Sequence, residues 1–166
     1  MDMKQIDYSA FDALALESRV WVYHSDRVFT SEETSQIDAE IYAFCTAWTS
    51  HNRQLKAAGK VVLDRIILLM VDESMAGASG CSIDSSVAFV KNIATKYQVD
   101  LFDRMLITYL DENNGSVHTT KLSSLSAEIE SKQDCIKVFD NLVKTKADLI
   151  SHGIAPIADT WVKRFI

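Results

Sequence analysis

The chain has 166 residues, 48% hydrophobic and 24% charged, with a formal net charge of −6 at pH 7. That length fits one domain, large enough to bury roughly 70% of its unfolded surface without a metal or a disulfide. The acidic balance argues against non-specific nucleic-acid binding and against anionic membrane surfaces, since both select basic protein faces.

The three cysteines, Cys45, Cys81 and Cys135, are an odd number at wide spacing and form no CxxC pair. Reduced thiols fit better than a disulfide framework or a zinc site. The N-terminal stretch has acids between its apolar groups, unlike a signal peptide. The longest apolar run, Ile66–Val71, is far short of the ~20 residues of a membrane span. These features lead to the expectation of a cytoplasmic protein with no membrane contact. The organisation expected is one domain over 1–166, with an N-terminal arm over 1–18 and a C-terminal helix and docked tail over 126–166.

In chain order, Tyr8–Leu16 is weakly patterned and suits a short helix. Arg19–His24 (RVWVYH) is β-branched and aromatic, the composition of a strand. Thr30 followed by Glu33 has the spacing of a capping box, and Ile37, Ile41, Phe44, Cys45 and Trp48 then form an apolar stripe. A helix over Ser31–His51 follows, and polar Asn52–Lys60 with Gly59 reads as a connection. Val61–Asp72 is expected to be one central strand covered on both faces, because Ile66–Val71 is apolar without alternation. Met75–Cys81 is a small-residue loop, and Ser82 is a candidate cap for a helix to Gln98. Met105–Leu110 and Ser116–Leu122 read as strands joined through the turn Asn113-Asn114-Gly115. Ser126 is then expected to cap a long helix carrying Ile129, Ile136, Phe139, Leu142, Val143 and Ile150, stopped by Gly153 and Pro156. The tail Ala158–Ile166 carries Trp161 and Phe165 and is expected to dock on the body.

Leu63–Ser74 and Phe102–Asn113 match: Asp64-Arg65 pairs with Asp103-Arg104, and Asp72-Glu73 with Asp111-Glu112, with apolar residues between. Either two core strands share edge chemistry or one β-α unit is used twice. A strand, a helix and a strand favour a right-handed parallel crossover. The expected fold class is therefore α+β or α/β, a mixed, mainly β-α-β sheet of about four strands with helices packed on it and a long C-terminal helix.

Chemistry concentrates in 72–86. Parallel strands would bring Asp72, Glu73, Asp111 and Glu112 to one sheet edge, where oxygen ligands suit Mg²⁺; the simpler reading is solvated acids at strand ends. Cys81 lies beside a helix start, where the dipole and free N–H groups favour a thiolate, with His24 or His51 as the base. Its simpler reading is an inert thiol. Ser79, Gly80 and Ser82, with Arg65 offsetting the acids, form a candidate anion-binding loop. No GxxxxGK[ST], GxGxxG or HExxH occurs in the chain.

RVWVY, the Phe44–Trp48 pair followed by His51, VDES, ASGCSIDSSV, DLFDR and the closing TWVKRF together resemble a family of small Bacteroidetes proteins. These are commonly labelled "ABC transporter ATPase", and the resemblance spans Arg19–Leu122 and the last few residues. It implies no catalytic residues, because the family has no established activity. The label conflicts with the chain, which lacks the Walker A lysine and the signature sequence, so ATP hydrolysis of the ABC type is not expected. The first functional expectation is a non-enzymatic module binding a protein or small ligand near the 72–86 loop. A small hydrolase or transferase using Cys81, or a metal at Asp72 and Glu73, is the alternative. Nucleotide binding without a P-loop, as the label suggests, is third. A homodimer is expected on base rates alone.

Overall fold

The computed structural model describes residues 6–166 and has a mixed α+β fold. The first half contains β1 (Arg19–His24), α1 (Ser31–Ala47), β2 (Thr49–Ser50), β3 (Arg53–Gln54), β4 (Lys56–Val62), β5 (Ile66–Asp72) and α2 (Gly80–Tyr97). The second half contains β6 (Leu106–Asp111), β7 (Ser116–Lys121), α3 (Leu122–Ile129), β8 (Ile136–Phe139), α4 (Lys146–His152) and β9 (Ile154–Pro156). The strands form an antiparallel sheet in the order β1-β5-β4, a second in the order β7-β6-β8-β9, and the small β2-β3 ribbon. None of the helices among the described residues is long and apolar enough to cross a membrane.

The parallel crossover expected between the Ile66 strand and the Leu106 strand does not form. β5 and β6 are each the partner of antiparallel neighbours and lie in different sheets. Each instead forms a hairpin with the strand next to it in the chain, β4 for β5 and β7 for β6, and its other side is taken by β1 or β8. The similarity between 63–74 and 102–113 therefore marks two interior strands with the same end chemistry.

The expected single strand over Val61–Asp72 is a hairpin. The Arg65 N–H donates to the Val62 carbonyl at 3.2 Å, and Leu63 and Asp64 both have positive φ (54° and 53°). No Asn-Gly or Asp-Gly marks this turn, so nothing in the residue types announces it. Gly59, which reads as a connection, lies inside β4. A Cβ there would meet Ile41 Cγ2 at 2.5 Å and the Leu68 carbonyl oxygen at 2.8 Å, so the glycine lets α1 approach the sheet.

Helix α1 starts as its sequence dictates. Thr30 Oγ1 accepts from the Glu33 N–H at 3.1 Å and Glu33 Oε2 accepts from the Thr30 N–H at 2.9 Å. It ends at Ala47, and residues 48–51, expected as its last turn, become extended chain and the β2-β3 turn, with His51 and Asn52 at positive φ. Helix α2 begins three residues earlier than expected: Ser79, not Ser82, is the cap, and its Oγ accepts from the Ser82 N–H at 3.2 Å.

The long C-terminal helix is also replaced, by α3, β8 and α4. The segment Ile136–Phe139 is taken up by the free side of β6, through Tyr109–Val138 and Asp111–Ile136 pairing. Apolar spacing at 129, 136, 139 and 143 suits a helix equally well; the unpaired edge of an interior strand decides. Thr145 then caps α4 with a capping box of its own.

Burial is centred on β5, every residue of which is buried. Ile67 and Leu69 join one apolar cluster with α1 and α2, and Ile66, Leu68 and Met70 join another with Phe11, Phe139 and Leu149. The N-terminal arm, instead of a full helix over 8–16, makes a short helical turn at Ser9–Phe11. Buried Lys146 holds the arm down, donating from Nζ to the carbonyls of Phe11 (2.8 Å) and Leu14 (2.7 Å). In the tail, Val162 is fully buried and Phe165 is exposed.

Candidate functional site

The strongest candidate site is a groove of about 620 Å³ where the two large sheets meet. Strand β1 contributes Trp21, Val22, Tyr23 and His24, and the first turns of α2 contribute Ile83 and Val87. Leu101–Arg104, before β6, and Asn141, Leu142 and Trp161 complete it. Phe102 and Leu142 leave 41% and 59% of their surface exposed, although both are large and apolar. Tyr23 meets Phe102 edge-on with ring centroids 5.6 Å apart, and Trp161 is oriented by its Nε1–H, which donates to Asn141 Oδ1 at 3.2 Å. Besides His24 the polar side chains are few: Asp103, Arg104 and Asn141. Mostly apolar walls with a few polar side chains are the composition of a ligand site, and the volume lies within the usual range.

Behind the groove runs a polar seam that joins the sheets. His24 Nδ1 and Thr108 Oγ1 lie 2.8 Å apart, Thr108 Oγ1 and Thr119 Oγ1 3.1 Å, and Arg65 Nη1 donates to Thr119 Oγ1 at 3.3 Å. His24 Nε2 is buried without a partner, and burial pushes the imidazole down from 6.5 to about 4. His24 is therefore neutral at pH 7. Burial likewise lowers the Arg65 guanidinium. Arg65, expected beside an anion, is one side of this seam, at the opposite end of β5 from Asp72 and Glu73.

The predicted site residues of 72–86 are held mainly by their own loop. Asp72 is buried; its Oδ1 accepts from the Ser74 N–H (3.0 Å) and hydroxyl (2.6 Å) and its Oδ2 from the Ala15 N–H (3.1 Å), with Lys56 Nζ at 3.5 Å. The Ser74 hydrogen bonds above all hold its carboxyl far below the usual range. Glu73 Oε1 accepts from the Ala78 N–H at 3.0 Å and lies 3.9 Å from Arg19 Nη1. Asp111 and Glu112 have lysines of their own, Lys132 at 3.1 Å and Lys137 at 2.6 Å. The four acids thus do not meet at one edge. No group of three or more His, Cys, Asp or Glu residues among the described residues is placed to hold a metal ion.

Cys81 is exposed in the first turn of α2. No hydrogen bond joins it to either proposed base among the described residues: His24 is bonded to Thr108, and His51 occupies the exposed β2-β3 turn. The Ser79 and Ser82 hydroxyls are engaged in the helix start, Ser82 Oγ donating to the Ser79 carbonyl at 2.8 Å. The Ser82 carbonyl accepts from Trp48 Nε1 at 2.9 Å, tying the start of α2 to the junction of α1 and β2. Gly80 opens the helix with space around its Cα. Of the other thiols, Cys45 is buried and pushed up to about 12, and Cys135 is half-buried before β8.

No protein-family model, curated protein or solved structure matches the chain. The groove residues come from five separate stretches, which is why sequence reasoning missed them as a site. The usable signal lay in the aromatic residues of RVWVY and TWVKRF, of which Trp21, Tyr23 and Trp161 line the groove.

Proposed function

We propose that the protein is a non-enzymatic binding module whose ligand lies in the groove between the two sheets. The site adjoins the 72–86 segment through Ile83, one turn into α2. The observation that carries this reading is the groove itself: exposed Phe102 and Leu142 beside Trp21, Tyr23 and Trp161, with Asp103, Arg104 and Asn141 as the polar minority. Such a surface suits a ligand with an apolar, partly planar body and a polar rim. The groups that could do chemistry have structural duties instead. Asp72 orders its turn, and His24 joins two sheets.

Ligand-detected NMR with a library of small aromatic compounds tests the reading. Binders are expected to shift the indole resonances of Trp21 and Trp161, and Leu142→Asp, an exposed position, is expected to weaken them about tenfold without lowering Tm. Shifts confined to Ser79–Ser82 and Cys81, with both indoles unmoved, would place the site at the helix start and refute the groove.

A further inference from the structure

The groove follows the outer edge of β1, and that edge is unfinished. In an antiparallel ladder, alternate residues turn their backbone groups to opposite sides. Arg19, Trp21 and Tyr23 face β5, and the Ser25 N–H continues that side by donating to the Arg65 carbonyl at 2.8 Å. Val20, Val22 and His24 therefore face outward. Here the chain starts a further pairing: the Val20 N–H donates to the Lys144 carbonyl at 3.0 Å and the Lys146 N–H to the Ser18 carbonyl at 2.9 Å, an antiparallel bridge between Arg19 and Thr145. The pairing then stops. Preceding residues Asn141 and Leu142 stand at the groove, and the Leu142 N–H donates to its own neighbour, Asp140 Oδ1, at 2.9 Å. Among the described residues, no hydrogen bond reaches the Val22 N–H, the Val22 carbonyl or the His24 N–H.

The geometry points to an extended apolar peptide segment of a partner protein as the ligand of this groove, added as a strand to the outer edge of β1 beyond Lys144. This inference rests on the groove being the binding site and specifies what fills it. Two observations select a peptide over a compact ligand. The free groups at Val22 and His24 are a donor–acceptor–donor row that another backbone matches, and the Arg19–Thr145 bridge already sets the spacing for such a strand. Side chains of an added strand alternate between the two faces of the sheet. One set would lie beside Trp21, Tyr23 and Val87, the other beside Val22, Leu142 and Trp161, so both sets are apolar or aromatic. Beyond that bridge the edge is open to strand addition: Val22 is neither charged nor proline, and β1 pairs with β5 without a bulge.

The test uses the full chain and a library of blocked pentapeptides built from Val, Ile, Thr, Phe and Tyr. A binder is remade with a single N-methyl group at each amide in turn, and amide hydrogen exchange is followed at Val22 and His24. Strand addition predicts that methylation weakens binding about tenfold at every second position only, with slowed exchange at Val22 and His24. Binding that is indifferent to the phase of methylation, with Val22 exchange unchanged, overturns strand addition and leaves the groove as a side-chain site. Occupation of the groove by small aromatic compounds and by no peptide overturns it in the same way. If neither occupies it, both the peptide and the groove reading fail. Slowed Val22 exchange that grows with protein concentration in the absence of peptide identifies a second copy as the occupant and likewise overturns the proposal.

Discussion

Strand β5 carries an aliphatic side chain at each position from Ile66 to Val71 and faces apolar clusters on both sides. Strand β6 is equally buried but places Thr108 in its middle, and one of its faces meets the first sheet through His24, Thr119 and Arg65. Both strands end in an aspartate that accepts the N–H two residues on, Ser74 for Asp72 and Asn113 for Asp111, and each aspartate has a lysine partner. The ends are alike; the faces are not. The first sheet is held by non-directional apolar burial; its join to the second adds, to the packing of Phe139 on Ile66, Leu68 and Met70, hydrogen bonds that need fixed partners and a neutral His24.

That contrast can be broken most severely in β5. Leu68→Ala is expected to cost about 3–4 kcal/mol, through a cavity that the surrounding sheet cannot close, measured by urea unfolding. Acid should act next, and on the seam. The folded His24 has a pKa of about 4 against an ordinary 6.5, so below pH 6.5 the unfolded chain takes up a proton that the folded chain refuses. Its penalty is absent above pH 6.5, grows as pH falls and is complete near pH 4, where it reaches roughly 3 kcal/mol. Stability measured from pH 7 to pH 4 should show this slope, and His24→Gln should remove it. A variant retaining the full slope would assign the titration elsewhere.

The two aspartates sharpen the comparison further. Asp72→Ala strands the Ser74 and Ala15 N–H groups and is expected to cost about 2 kcal/mol, against about 1 for Asp111→Ala, whose turn has one such donor. Both carboxyls are held below 3.8, so their contributions are complete above that pH and lost below it, separable from the His24 range. The smallest effect belongs to the helix caps. Thr30→Ala and Thr145→Ala are each expected to lower stability by about 1 kcal/mol, visible as a small drop in the urea midpoint.

Local signals determined much of this protein without any tertiary information. The Thr30–Glu33 capping box started α1 where the residues say, and Asn113-Asn114-Gly115 closed the β6-β7 hairpin. The unbroken apolar run placed Ile66–Val71 in the interior. Each works because its energy is set within one or two turns of chain or by bulk hydrophobicity. What tertiary structure decided were choices among near-equal local states. Leu63 turns with Asp64 in a left-handed conformation that a leucine disfavours, because β4 and β5 pair on both sides of them. Ile136–Phe139 becomes a strand because β6 has an open side. The groove is of the same kind: Trp21, Phe102, Leu142 and Trp161 carry no shared motif, and only the meeting of two sheets brings them to one surface.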